Sequence, residues 1–592
     1  MRWTKVVALA AAGTLSLAAC GGGSPSDNKK SNSSSGGAGS SSSSSAPADA
    51  ALDPNAKGPA PEISGAKKGG NLTISYSNVP ETFDPTRAFY QDTNAILGQL
   101  VLRSLTTYRV TDKGSQLVPD LATDLGKQSS DGLTWTFTLK DGMKYSDGSV
   151  IKAADVVYAI KRSFAVKELP DGPSYAQSYL KGGETYKGPF TDKSDFQGAT
   201  AKDDKTVEIH LAKKWPTFPY YAAFSQVSPI PEAKDTKDKY GDNPLAEGPY
   251  MFDKYVKGQS LTLKKNPNWD AASDPARHQY VDSYTFNFGT DVKPTQTAIL
   301  ASNGPDATTL NWDPFDSTLL TKINQQKDQT VTGADPCVSY FNMDTRKIPL
   351  AVRKAVAVAY PFDQIRKAGG VTTLSYAPAT SYMAPQIPGF TKYAPVNGMT
   401  GEGTGDPAKA KQMLKDAGKE NFELSWYYSQ DNPEAVKQNQ ARKTAFEAAG
   451  FKVKDVGIPK ADARKHRAET DGKVNTLTGP AGWCYDWPSG DAWYPNLFTS
   501  AVQLTGQSVG FLGAGSDADY KSIDADINRI VALPVEQQGA EWTKLDEKLA
   551  KDVVPAVPTS YGKANYMFGK QVHNVVNDPN RGMPDLAQVW VG

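Results

Sequence analysis

The stretch Ala481-Gly482-Trp483-Cys484-Tyr485-Asp486-Trp487-Pro488 sets one acid among bulky and soft side chains. A carboxylate enclosed this way loses most of its water and needs a cation or strong donors in return. Asp486 therefore caps a turn before Pro488, pairs with a core arginine, or anchors a ligand. Trp483 and Trp487 either line a ligand pocket or pack the core, and Tyr485 stands between them. A second reactive spacing is Gly506-Gln507-Ser508-Val509-Gly510, with His573 later in the chain. A nucleophile elbow requires strand, turn and helix, whereas Phe511-Leu512-Gly513-Ala514-Gly515-Ser516 reads as a loop. A secreted serine hydrolase using Ser508 is thus a remote alternative, and no catalytic residue is expected. His210, His278, His466 and His573 are scattered, without His-Glu-x-x-His spacing or a CxxC, and no Gly-Lys precedes Ser or Thr. Neither a metal site, a cofactor nor a nucleotide loop is expected.

Only three cysteines occur, Cys20, Cys337 and Cys484. An odd number in an exported protein needs an explanation. Arg2 and Lys5 precede the apolar run Val6–Ala19, which is too short to cross a bilayer. That run ends in Leu17-Ala18-Ala19-Cys20 and resembles the lipobox of bacterial lipoproteins, whose cysteine becomes the lipidated first residue. The expectation is a signal peptide over 1–19 and a membrane anchor at Cys20. Residues 20–68, rich in Gly, Ser, Ala and Pro, are expected to form a disordered tether. Trp3 is the only aromatic residue before Tyr76, so packing is expected to begin after about residue 69.

The elements that position these residues read as mixed α/β. Leu72, Ile74 and Tyr76 alternate along one strand, and residues 133–139 alternate along another. Residues 153–165 and 349–360 carry helical spacing. Asp406-Pro407 opens a helix that Gly418 closes. Residues 422–458 read as strand, helix, strand, which favours a parallel pair. The chain has 592 residues, enough for several domains. With 65 Lys+Arg against 64 Asp+Glu it lacks the basic excess of a nucleic-acid binder. No apolar run reaches the length of a spanning helix.

A series of short motifs runs from Gly69-Gly70-Asn71-Leu72-Thr73 through Leu117-Val118-Pro119-Asp120-Leu121-Ala122. The longest covers Asp131-Gly132-Leu133-Thr134-Trp135-Thr136-Phe137-Thr138-Leu139-Lys140-Asp141-Gly142 and leads to Ala153-Ala154-Asp155-Val156-Val157-Tyr158. Gly248-Pro249-Tyr250, Asn266-Pro267-Asn268-Trp269, Tyr340-Phe341-Asn342 and Trp483-Cys484-Tyr485-Asp486 follow. Their order resembles the family 5 extracellular solute-binding proteins, the peptide-binding components of ABC importers. Ala246-Glu247, Lys152 and Tyr360-Pro361-Phe362 depart from that pattern.

The resemblance implies an α/β, two-lobed periplasmic-binding-protein-like fold (Venus flytrap) with an extra subdomain in the first lobe. Lobe I would take residues 69–335, with the subdomain at about 116–225, and lobe II residues 336–551. Residues 552–592 would return to lobe I. In the oligopeptide-binding members the aspartate matching Asp486 receives the ligand's α-ammonium group. Trp483, Tyr485 and Trp487 would then border the ligand, as would Tyr175 from a segment similar to one at the family's cleft. A disulfide between Cys337 and Cys484 is likewise implied. The expected partners are an oligopeptide and the permease and ATPase subunits of an ABC transporter, with the chain itself a monomer anchored outside the cytoplasm. Another solute, an oligosaccharide, a nickel chelate or a signalling peptide, is the alternative on the same fold.

Overall fold

In the computed structural model residues 52–592 are described, apart from 89, 113, 171, 464–465, 467–472, 478–481 and 500–517. The signal peptide, Cys20, the first part of the tether and the Gly506–Gly510 stretch lie outside the described residues. Strand Asn71–Tyr76 buries Leu72, Ile74 and Tyr76 completely, as its alternation demands. It runs parallel to Ser283–Phe288 on one side and to Thr309–Asn311 on the other. These strands belong to a ten-stranded sheet that continues through the hairpin Tyr250–Val256 and Ser260–Lys265.

Two long antiparallel strands, Thr330–Met343 and Ala556–Phe568, carry that sheet from one lobe to the other. One end pairs with Thr309–Asn311 through Leu310 and Phe568. The other end carries Thr476–Leu477, Gly482–Cys484 and Tyr376–Pro378. The register shifts between Ala334 and Val338, where Pro336 has no N–H to give to the ladder. The chain thus crosses between the lobes twice. Its last residues pack beside the first strand, with Leu586, Val589 and Val591 in one apolar cluster with Leu72, Ile74 and Phe286.

In the first lobe a smaller sheet joins Lys127–Gln128, Thr134–Thr138, Thr206–His210 and Ala199–Ala201. Helix Ala153–Arg162 packs on it. Lys152 precedes that helix without a capping side chain, and the Asp155 carboxylate instead accepts the Lys152 backbone N–H at 3.0 Å. In the second lobe Glu423–Ser429 and Lys452–Ile458 pair in parallel across helix Pro433–Ala448. Helix Pro407–Asp416 starts where the Asp406 carboxylate accepts the Lys409 N–H at 2.9 Å, and it ends at Gly418 with φ +62°. The unusual Tyr360-Pro361-Phe362 adds two rings to the second core, Tyr360 lying 5.4 Å from Phe341 and 4.8 Å from Phe362.

Two differences from the sequence reading stand out. The tether does not extend to residue 68. Asp53 N–H donates to the Leu117 carbonyl at 3.0 Å, Arg109 pairs with Asp53 at 2.8 Å, and Ala56 is buried with Val118 and Ala276. Small residues and one ion pair fasten this segment, so its composition gave no sign of packing. The second is the burial of Glu247, which the sequence marked only as a departure from the motif pattern. Arg103 N–H donates to it at 3.2 Å, and burial holds its carboxyl well above the usual range. Beside it, Arg103 and Arg277 clamp Asp120 at 2.6 and 2.9 Å, and Arg277 also reaches Asp274 at 3.2 Å. Burial alone would raise Asp274, but the two guanidiniums hold it down to about 2.

Candidate functional site

Strand Gly482–Cys484 lies antiparallel to the start of the crossing strand, with Trp483 opposite Val338 and Cys484 opposite Cys337. The structure joins the two cysteine sulfurs across this pair. Beyond the strand the chain turns, and Asp486 emerges partly buried. The Tyr175 hydroxyl donates to one of its oxygens, and Asn496 Nδ2 donates to Tyr175 Oη at 2.8 Å. Among the described residues no lysine or arginine lies within ion-pair distance of Asp486. Burial pushes its carboxyl up to about 7, and the bond from Tyr175 offsets only part of that rise.

Asp486 and Tyr485 line a cavity together with Gln91, Tyr108, Asn580 and Arg581, among others. Its volume is about 40 Å³, on a scale where one water needs roughly 10–15 Å³. That space holds a few waters and no peptide, so a ligand of that size requires the lobes to part. Tyr485 is anchored at its tip, where the hydroxyl donates to the Pro579 carbonyl at 3.1 Å.

The two tryptophans expected at the ligand do not line this cavity. Trp483 packs in the core and donates from Nε1 to the Ala492 carbonyl at 2.9 Å. Trp487 is fully buried, its ring 4.5 Å from Tyr175 and 5.9 Å from Trp215. Large indoles on a turn that leaves a strand bury more apolar area inward than a polar cleft offers. Tyr175 belongs to the site through its bond to Asp486, although it is not a cavity wall.

Sequence reasoning missed Asp491. It is buried and accepts hydrogen bonds from Trp487 Nε1 at 2.9 Å and Trp215 Nε1 at 2.8 Å, with Thr217 Oγ1 as a third donor. Trp215 and Thr217 follow strand Thr206–His210 of the smaller sheet, so this carboxylate joins that region to the segment carrying Asp486, with no cation at ion-pair distance among the described residues. One apolar cluster accordingly runs from Trp135, Phe218 and Tyr221 of the subdomain to Trp487 and Trp493 of the second lobe. The hydrolase alternative gains nothing from His573, which stacks on Trp590 at 4.0 Å and contacts the Gly592 carbonyl.

The family described as "Bacterial extracellular solute-binding proteins, family 5 Middle" matches residues 116–504, more than half of the chain. The glutathione-binding protein GsiB of Pectobacterium atrosepticum is 29% identical over 424 residues, 69% of this chain and 74% of that protein. The periplasmic oligopeptide-binding protein OppA of Escherichia coli is 25% identical over 454 residues, 72% of this chain and 77% of its own. The solved structure of clavulanic acid biosynthesis oligopeptide binding protein 2 superposes with a TM-score of 0.76 at 22% identity, over 89% of this chain and 96% of that one. All three are named for what they bind, and none for a reaction. This chain belongs to family 5 of the bacterial extracellular solute-binding proteins.

Proposed function

We propose that the protein is the extracytoplasmic receptor of an ABC importer, which captures oligopeptides between its lobes and delivers them to the permease. Asp486 receives the peptide's α-ammonium group. The observation that carries this reading is a carboxylate on the cavity wall that no cation among the described residues neutralises and that burial raises to about 7. An ammonium group in that place supplies the missing charge, and the gain is large because water is scarce there. The peptide backbone is held in an extended, strand-like mode, so many side chains are accepted. The names of the relatives, glutathione-binding and oligopeptide-binding, favour the same class of ligand.

Ligand binding shifts a population from open to closed lobes rather than driving a chemical step. The bond joining Cys337 to Cys484 stiffens the strand that presents Asp486, and a lipidated Cys20 holds the receptor at the membrane. Native mass spectrometry of protein purified from its source organism tests the ligand class. A co-purified mass that fragments as a peptide is expected, and a sugar or metal chelate in its place overturns the peptide reading.

A further inference from the structure

Arg581 stands on the wall of the same cavity as Asp486. Its Nη1 donates to the buried Asp578 carboxylate at 2.5 Å. That carboxylate also accepts the Ser115 hydroxyl and the Asn580 N–H, both at 3.0 Å. Asp578 thus fixes the guanidinium while using one of its five N–H donors. The guanidinium lies over the Tyr108 ring at 5.7 Å, and its Nη2 sits where a Cβ on Gly98 would come within 3.5 Å. Three further groups on this wall have no hydrogen-bond partner among the described residues: Tyr108 Oη, Asn580 Nδ2 and Gln91 Nε2. Tyr108 and Asn580 are each only 8% exposed. Gln91 Nε2 lies next to Gly582, within 3.2 Å of a Cβ built there, so it adjoins Arg581 along the chain.

Two of these unmatched atoms are amide nitrogens, which donate and cannot accept. An ammonium group has nothing to offer them. A carboxylate has two oxygens with four acceptor sites, and a guanidinium is its best partner. We infer that Arg581, with Asn580, Gln91 and Tyr108, forms a second charged subsite that takes the free carboxylate of a short peptide whose amine Asp486 holds. The inference rests on the amine reading of Asp486 and names the ligand more closely. It is a peptide short enough to place both charged ends in one cavity.

The test measures binding of alanine peptides, from dipeptide to pentapeptide, by calorimetry. Each peptide is compared as the free zwitterion, the C-terminal amide and the N-acetyl acid. With the unaltered protein, amidation is expected to weaken binding of the best length at least tenfold, and Arg581→Gln is expected to abolish that difference. Equal binding of acid and amide overturns the subsite, as does a difference that survives in Arg581→Gln. A loss on acetylation with none on amidation overturns this inference and leaves the Asp486 reading standing. Failure of every alanine peptide to bind overturns the short-ligand inference and leaves the reading of Asp486 to co-purified peptides. The amide comparison uses the unaltered protein, so it decides the matter even where Arg581→Gln does not fold.

Discussion

Tyr175 and Asp486 lie 311 positions apart and meet through a hydrogen bond from the tyrosine hydroxyl to the carboxylate. Tyr175 lies on the short helix Tyr175–Tyr179 and Asp486 just after strand Gly482–Cys484, so the bond joins two segments distant in the chain. It gives the acid one donor where a charge is wanted. A neutral phenol relieves part of the desolvation of a carboxylate, whereas an ammonium relieves more. On the proposed reading, an arriving ammonium group competes with the Tyr175 hydroxyl for the Asp486 oxygens.

The acidity of Asp486 sets a pH dependence. Its folded value, about 7, lies above the ordinary 3.8, so the folded protein binds the proton more tightly than the unfolded chain does. The contribution of this group to stability is thus greatest below about pH 4 and falls as pH rises toward 7. Affinity for an amine runs the other way, because only the ionised carboxylate attracts it. Binding of a free-amine peptide should weaken below pH 7 by up to about tenfold per unit. Calorimetry across pH 5 to 8 reads this, and Asp486→Asn should flatten the profile. Tyr175→Phe removes the donor that lowers the carboxyl value, so its profile should shift toward higher pH.

Asp491 accepts hydrogen bonds from Trp215, Trp487 and Thr217, and its removal tests this contact. Asp491→Ala strips an acceptor from two indoles and a threonine in the buried seam between the lobes. A lost bond to a charged group costs about 1.5–3 kcal/mol, and more than one is lost here. The expected outcome is a larger radius of gyration by small-angle scattering without ligand, and weaker peptide binding with the Asp486 pH profile unchanged. An unaltered scattering profile with full affinity contradicts the seam.

The link between Cys337 and Cys484 closes a loop of 147 positions. Closing a loop of that length stabilises the fold by up to about 5 kcal/mol, less any strain. Intact-mass measurement with and without reductant should show the gain of two hydrogens. Cys337→Ser with Cys484→Ser should lower the thermal midpoint. Equal masses before and after reduction indicate free thiols.

If Cys20 carries lipid as proposed, Cys20→Ser should release the protein from the membrane fraction into the soluble one. Retention on membranes in that variant removes the lipidation.

Much of the fold was legible where the signal is local. The alternation of Leu72, Ile74 and Tyr76 has a period of two whatever the rest of the chain does, and Asp406-Pro407 caps a helix from within three residues. The desolvation of Asp486 was legible as well, since an acid beside two tryptophans and a tyrosine must answer for its lost hydration. Asp491, five residues further on, was not. Its donors Trp215 and Thr217 stand 276 and 274 positions away, and only the folded chain brings them together. Arg581 sits in an irregular Asp578-Pro579-Asn580-Arg581-Gly582 segment, where no periodicity marks one face. The packed stretch from Asp53 to Ala60 was hidden because alanines bury little area each, so composition weighs them as linker.

The central claim is that Asp486 holds a ligand amine, and one comparison reaches it directly. The co-purified peptide is measured against its N-acetylated form, in the unaltered protein and in Asp486→Ala. Removing one partner of a desolvated charge pair costs about 2–5 kcal/mol, so Asp486→Ala should weaken the free-amine peptide at least thirtyfold, at about 1.4 kcal/mol per factor of ten. The same substitution should leave the N-acetylated peptide nearly unchanged. Equal losses for both forms contradict the account.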